Sequence, residues 1–344
     1  MKVFRLLLVG VAAVLLLGGC GGGGDRTVAG NTAQGEEPRT AGHEEDLTGL
    51  QLSMEGYAGP PDSGILLGEQ LGYFADVGVN LTIIGAVRPE YAIGYAVDGA
   101  SQVVICRWPE VVRAGAEGEP VVAIGSLLTV PAAAMIWLPD SKIRGIGDLK
   151  GKTIAVPGVP FQREFLEYVL ASAGLSLSDV KLKTVGFKSV QALADGRADA
   201  AFGASWNVDG AALESRGLDP VVTRVTDLGI PDYEELVVAT NRRNYAKDPG
   251  LYRRVVKGIS HGAVAVSEDP EAGAETVVDK TLELAPPKPT LAGVEATAPV
   301  LSKTGHIDRG KLKGLIDWMY AQGMIERKPP VSRLIAVDAG EAGK

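Results

Sequence analysis

The chain has 344 residues, 46% hydrophobic and 22% charged, which supplies a sizeable core and excludes a globally disordered polypeptide. Acidic residues outnumber basic ones, 42 to 34, for a formal net charge of −8, which excludes the clustered excess of cations that a nucleic-acid-binding surface needs. Cys20 and Cys106 cannot build a disulfide framework, and His43, His261 and His306 are too dispersed for a multi-histidine metal site, so neither metal nor cofactor is expected.

Residues 1–19 read as a signal peptide. Lys2 and Arg5 supply its positive start, and Leu6 to Leu17 is an apolar run too short to span a bilayer at 1.5 Å per residue. Leu17-Gly18-Gly19-Cys20 resembles a bacterial lipobox, which makes Cys20 the expected lipidation site; an ordinary signal peptide with an incidental cysteine is the alternative. Residues 20–46 are glycine-rich and polar without apolar periodicity, the composition of a flexible tether. An anchor, a tether and an acidic body imply a protein held at the extracytoplasmic face of a bacterial cell membrane.

From Leu47 apolar runs alternate with helical patterns. Strands are expected at Leu50–Met54, Val79–Ile84, Gln102–Cys106 and Val121–Ser126, with helices from Ser63 to Phe74, Tyr91 to Val97 and Val111 to Ala116. A second series follows: strands at Ala133–Leu138, Thr153–Val156, Val180–Val185, Ala200–Phe202 and Pro220–Val222. Its helices are expected at Phe161–Ala173, at Val190–Asp195 and ending at Arg216. Leu236 to Thr240 is an apolar run that leads the chain back. Beyond it come four helical segments, Leu251–Ser267, Glu271–Leu284, Leu291–Leu301 and Asp308–Gln322, with Pro286-Pro287-Lys288-Pro289 as a hard break. This rhythm predicts a mostly parallel α/β architecture.

Four local passages give that order a resemblance. Leu71-Gly72-Tyr73-Phe74, Asp148-Leu149-Lys150-Gly151-Lys152, Ala192-Leu193-Ala194-Asp195-Gly196 and Asp317-Trp318-Met319-Tyr320 resemble, in sequence, motifs of the substrate-binding proteins of ABC importers. The last is similar to the subgroup that binds thiamine pyrimidine precursors, itself related to yeast hydroxymethylpyrimidine synthase and to nitrate, sulfonate and taurine binding proteins. The resemblance implies a two-lobed periplasmic-binding-protein fold (type II) with two crossover strands at the hinge, near 132–137 and 237–241. It divides the body into one lobe of 47–133 plus 240–335 and another of 134–239. Two departures stand out: the subgroup's Trp- and His-bearing first-strand stretch is here Ser53 to Asp62, where Tyr57 would replace the aromatic wall, and the synthase's iron-binding Cys/His cluster is missing.

In an open parallel sheet ligands sit beyond the carboxyl ends of the strands. Trp108 and Trp206, each directly after an expected strand and one in each lobe, are therefore expected to stack on a flat heteroaromatic ring from opposite walls, with core packing as the alternative. Asp62 and Ser63, and Pro160 with Phe161, open helices whose free N–H groups would bind a ligand or be capped. Glu110, Asn207 and Glu234 complete the expected ligand-binding set with Tyr57. Glu55, Arg107 and Glu235 lie at the same edges, where Arg107 would suit a carboxylate, sulfonate or phosphate and structural ion pairing is the alternative. Gly145 to Thr153 fails the phosphate-loop spacing at Ile146, and no His-Glu-x-x-His or calcium-loop motif occurs, which argues against an enzyme. The expected partners are a small ligand of the pyrimidine type, an ABC permease and its ATPase, and the membrane through the lipid anchor. The alternatives are another small solute (sulfonate, nitrate, taurine, riboflavin) or a heterocycle-synthesis enzyme on the same fold.

Overall fold

The computed structural model describes residues 47–85, 92–281 and 285–336. The leader, Cys20 and the tether lie outside the described residues.

The chain first lays down four strands of one sheet: β1 (Thr48–Met54), β2 (Val79–Gly85), β3 (Val103–Arg107) and β4 (Val121–Leu128). Between them run α1 (Ser63–Gln70), α2 (Ala92–Asp98) and α3 (Trp108–Glu117). It then crosses on 129–132 and builds a second sheet from β5 (Ala133–Trp137), β6 (Thr153–Val156), β7 (Lys181–Thr184), β8 (Ala200–Ser205) and β9 (Val221–Arg224). Here the connecting helices are α4 (Pro160–Ser172), α5 (Ser189–Ala194) and α6 (Ala211–Ser215). A second crossing on 229–235 returns to the first sheet as β10 (Leu236–Asn241).

The sheets have the same plan. The first runs β2-β1-β3-β10-β4, with β1 parallel to β2 and β3 and with β10 antiparallel to both its neighbours. The second runs β7-β6-β8-β5-β9, with β6 parallel to β7 and β8 and with β5 antiparallel to both its neighbours. Each antiparallel strand is thus the one that has just crossed from the other sheet. The central strands β3 and β10 and their neighbour β4 are buried nearly throughout, as their unbroken apolar runs require. The edge strand β7, Lys-Leu-Lys-Thr, alternates charge outward, which protects a free edge.

Six further helices follow among the described residues: α7 (Arg242–Lys247), α8 (Pro249–Glu268), α9 (Pro270–Lys280), α10 (Pro287–Thr297), α11 (Arg309–Ala321) and α12 (Val331–Leu334). Asp248, Asp269 and Asp308 cap α8, α9 and α11, each accepting a backbone N–H of the first turn. The expected proline break at 286–289 is the start of α10, because a helix tolerates proline in its first turn, where N–H groups have no intrahelical partner. Buried Tyr252, Val255, Val256, Ile259, Ala263 and Val266 give α8 one apolar face. On that helix Gly258 and Gly262 meet Gly64 and Gly68 of α1 so closely that a Cβ at Gly262 would lie 1.8 Å from the Gly64 carbonyl oxygen. This contact fixes α1, and with it the loop that follows β1.

Contacts between the two sheets' layers are specific. Glu235 on the second crossing accepts the backbone N–H of Ala132 on the first (2.9 Å) and the Tyr233 hydroxyl (3.0 Å). Phe165 of α4 packs edge-on against Tyr233 and against Trp318 of α11, with Trp318 5.0 Å away. The Asn207 amide of the second layer donates to Thr297 Oγ1 of α10 (2.7 Å).

Candidate functional site

The carboxyl ends of strands from both sheets converge on a cavity of about 380 Å³, within the range of small-molecule sites. The first sheet contributes the loop 55–62 after β1, Ile105 and Arg107 at the end of β3, and Glu235 just before β10 with Leu236 at its start. From the second come Pro157 and Val159 after β6, Gly186, Phe187 and Ser189 after β7, and Gly203, Ser205, Val208 and Asp209 at and after β8.

Arg107 is the one cation among the described residues that line the cavity. Its guanidinium is held on both sides: Nε and Nη2 donate to the two oxygens of Glu55, the latter at 2.9 Å, and Nη1 donates to Glu235 at 2.6 Å. The side chains of Arg107, Glu55 and Glu235 are only 11%, 12% and 1% exposed, so this is a buried charge cluster. Burial works against the charge on Arg107, and Glu55 and Glu235 more than reverse it, so its pKa is raised and it stays protonated.

Two further carboxyls face the same cavity. Asp62 accepts the Gly59 N–H (3.0 Å), and Asp209 accepts the Ser205 N–H (2.7 Å). Burial pushes Asp62 up to about 7 despite that bond, with Glu55 adding to the rise. It pushes Asp209 up to about 6, against the pull of the Ser205 N–H and Arg107. Both carboxyls therefore change protonation near neutrality.

Two aromatic rings stand at the mouth, Tyr57 (81% exposed) from the first sheet's side and Phe187 (53%) from the second's. Phe187 reaches the opposite layer: a Cβ on Gly56 would lie 2.9 Å from its ring carbons, so the absence of a side chain there lets the ring rest on backbone.

The expected residues divide into three groups. Tyr57 and Asp62 line the cavity. Glu110, Pro160 and Phe161 line a neighbouring hollow of about 340 Å³ between α2, α3 and α4, where Phe161 is buried edge-on against Phe165. Glu110 accepts the Arg107 backbone N–H, and burial, with Glu55 adding, raises its pKa to about 8 against the pull of Arg107.

Trp108, Trp206, Asn207, Glu234 and Ser63 are not among the residues lining the cavity. Trp108 is buried, with its indole N–H 3.4 Å from Glu234. Trp206 donates to the Pro131 carbonyl (2.9 Å) under the guanidinium of Arg224, 3.9 Å from its ring centroid. The expectation of two facing indoles is corrected by strand alternation. Ile105 with Arg107, and Gly203 with Ser205, share the inward face two residues apart, and the tryptophan that follows each begins a helical turn directed elsewhere. The same one-residue offset puts Glu235 inside, while Glu234 binds Trp108 and the Asp308 N–H. Ser63 donates to the Pro60 carbonyl (2.8 Å), and Asn207 holds α10.

Asp209, Ser189 and Phe187 escaped the sequence reading. The signal for Phe187 was an aromatic directly after Gly186 at the end of a strand; Asp209 had none, since it lies within an irregular turn, Trp206–Gly210.

Comparison with known proteins places this geometry. A family described as NMT1/THI5 like matches residues 60–273. The formylaminopyrimidine-binding protein of Halalkalibacterium halodurans is 26% identical over 263 residues, covering 75% of this chain and 74% of that one. The 4-amino-5-hydroxymethyl-2-methylpyrimidine phosphate synthase of Legionella pneumophila is 26% identical over 144 residues, 42% of this chain and 45% of that one. Among solved structures, the alkanesulfonate-binding protein of Xanthomonas axonopodis pv. citri bound to MOPS superposes with a TM-score of 0.64 at 20% identity, covering 84% of this chain and 98% of that one. The last likeness concerns the fold, which is that of periplasmic binding proteins. No helix among the described residues is long and apolar enough to cross a membrane.

Proposed function

The chain belongs to the NMT1/THI5-like family, and from that premise we propose that it is the extracytoplasmic receptor of an ABC importer, capturing a small aminopyrimidine of the thiamine-precursor type. The observation that carries the reading is the cavity itself, walled by the carboxyl ends of strands from both sheets. A solute there touches two bodies at once, 47–133 with 240–335 and 134–239, so it favours the arrangement in which they are closed. The permease then recognises that closed form, and lipid on Cys20 with the tether 20–46 keeps the receptor at the membrane.

In this reading the planar ring lies between Tyr57 and Phe187, and Asp62 and Asp209 accept hydrogen bonds from exocyclic amino groups. Binding rather than turnover is favoured by the extent of the likenesses: the binding protein matches over 75% of the chain at 26% identity, whereas the matches to the synthases span 42% to 65% of it. Native mass spectrometry of freshly purified protein, followed by titration calorimetry against a vitamin-precursor panel, tests the proposal. An aminopyrimidine bound and released unchanged supports it. Chemical conversion of that compound, or binding only to unrelated solutes, refutes it.

A further inference from the structure

The cavity's charge arrangement deepens this reading and rests on it. We infer that the cleft discriminates by charge, accepting uncharged or cationic amino-heterocycles and rejecting sulfonates and phosphate esters, because Glu55 and Glu235 already occupy Arg107, the only cation among the described lining residues.

An anion-binding cleft needs donors that are free to turn toward the ligand. Three N–H groups of Arg107 are already spent on two carboxylates, and all three side chains are nearly buried, so the guanidinium cannot swing out without stranding Glu235. Glu235 is held in turn by the Ala132 N–H and the Tyr233 hydroxyl, which fixes the cluster to both crossings between the sheets. Asp62 and Asp209 then add two more carboxyls to the same wall. A sulfonate or phosphate entering here would meet acceptors where it needs donors. An amino group or ring N–H meets matching acceptors, because a carboxylate accepts about four hydrogen bonds and the backbone contacts of Asp62 and Asp209 fill only some of them. The surplus of acid over the whole chain repels anions at longer range as well. The shared fold of the sulfonate-binding proteins therefore does not carry their ligand chemistry to this cleft.

Calorimetry on the full chain with three probes tests the inference: 4-amino-5-hydroxymethyl-2-methylpyrimidine, its phosphate ester, and butanesulfonate. We expect the uncharged pyrimidine to bind at least about a hundredfold more tightly than its ester, and butanesulfonate to give no heat. Glu55→Gln frees donors of Arg107 and should raise affinity for the ester or the sulfonate by about tenfold while changing the uncharged pyrimidine less. Asp209→Asn leaves the Arg107 cluster intact, and so tests the inference independently if the first variant misfolds. It should narrow the gap between ester and parent pyrimidine by about threefold to tenfold. Ester or sulfonate binding as tight as that of the uncharged pyrimidine in the unaltered chain overturns charge discrimination and leaves the receptor reading standing. No binding of any of the three overturns the receptor reading itself.

Discussion

Replacing Arg107 by methionine removes the centre of the charge cluster and keeps most of the side-chain volume. In the native protein the guanidinium makes three charge-assisted bonds, two to Glu55 and one to Glu235. Without it Glu235 retains the Ala132 N–H and the Tyr233 hydroxyl, but its charge, in a side chain only 1% exposed, loses its counter-ion. Glu55, at 12%, is stranded nearly as deeply. Breaking a buried pair by removing one partner costs about 3–5 kcal/mol, most of it the penalty of the uncompensated charge. Urea unfolding near pH 7 should therefore show a loss of about that size. The loss should shrink as the pH is lowered, since protonation neutralises the stranded charge. Glu55→Gln in the same chain should recover part of it. A loss below about 1 kcal/mol, or one that does not change with pH, would refute a buried and mutually dependent cluster.

The glycine contact between α1 and α8 offers a stability test with opposite signs. Gly262→Ala sets a methyl 1.8 Å from a backbone oxygen and should cost at least about 2 kcal/mol in a denaturation experiment, whereas Gly314→Ala, on α11 with nothing within 4 Å, should gain about 0.5–1 kcal/mol. Asp62 and Asp209 have folded pKa values raised to about 7 and about 6, so the folded state binds protons more readily than the unfolded one. Their contribution falls as pH rises from the unfolded carboxyl value through those values, and Asp62→Asn with Asp209→Asn should flatten the decline in urea midpoint between about pH 5 and pH 8. Phe187→Ala, at a half-exposed position, should weaken binding of an aminopyrimidine about tenfold in calorimetry with little change in thermal midpoint. Trp108→Phe should do the reverse, lowering the midpoint while affinity stays within about twofold, because that ring is buried outside the cavity.

The ten strands among the described residues fall where the sequence patterns place them: β3, β4, β5 and β10 as unbroken apolar runs, as a buried strand needs, and β2 as an alternating one. Strand ends were therefore legible, and with them the cavity's loops after β1 and β8, though not the one at 186–189 after β7. The inward face at each end was not. The last residue of a strand and the first of the following helix differ by one position and by direction, which is why Arg107 and Ser205 line the cavity and Trp108 and Trp206 do not. A large aromatic after a strand draws attention in a sequence, yet burial explains it as well as a ligand does. The charge character of the cleft was legible only in part: Glu55, Arg107 and Glu235 read as residues of its edges with ion pairing as one alternative, while their actual pairing and Asp209 did not show. Glu55, Arg107, Asp209 and Glu235 come from four separate segments and both sheets, and only the closed path of the backbone brings them together.

Hydrogen–deuterium exchange of the full chain with and without an uncharged aminopyrimidine tests the central claim most directly. A solute gripped by both bodies should slow exchange together in 55–62 on one side and in 186–189 and 203–209 on the other, at the carboxyl ends of both sheets. Protection confined to one sheet, or found only on surfaces away from these loops, would contradict a receptor that works by closing on its ligand.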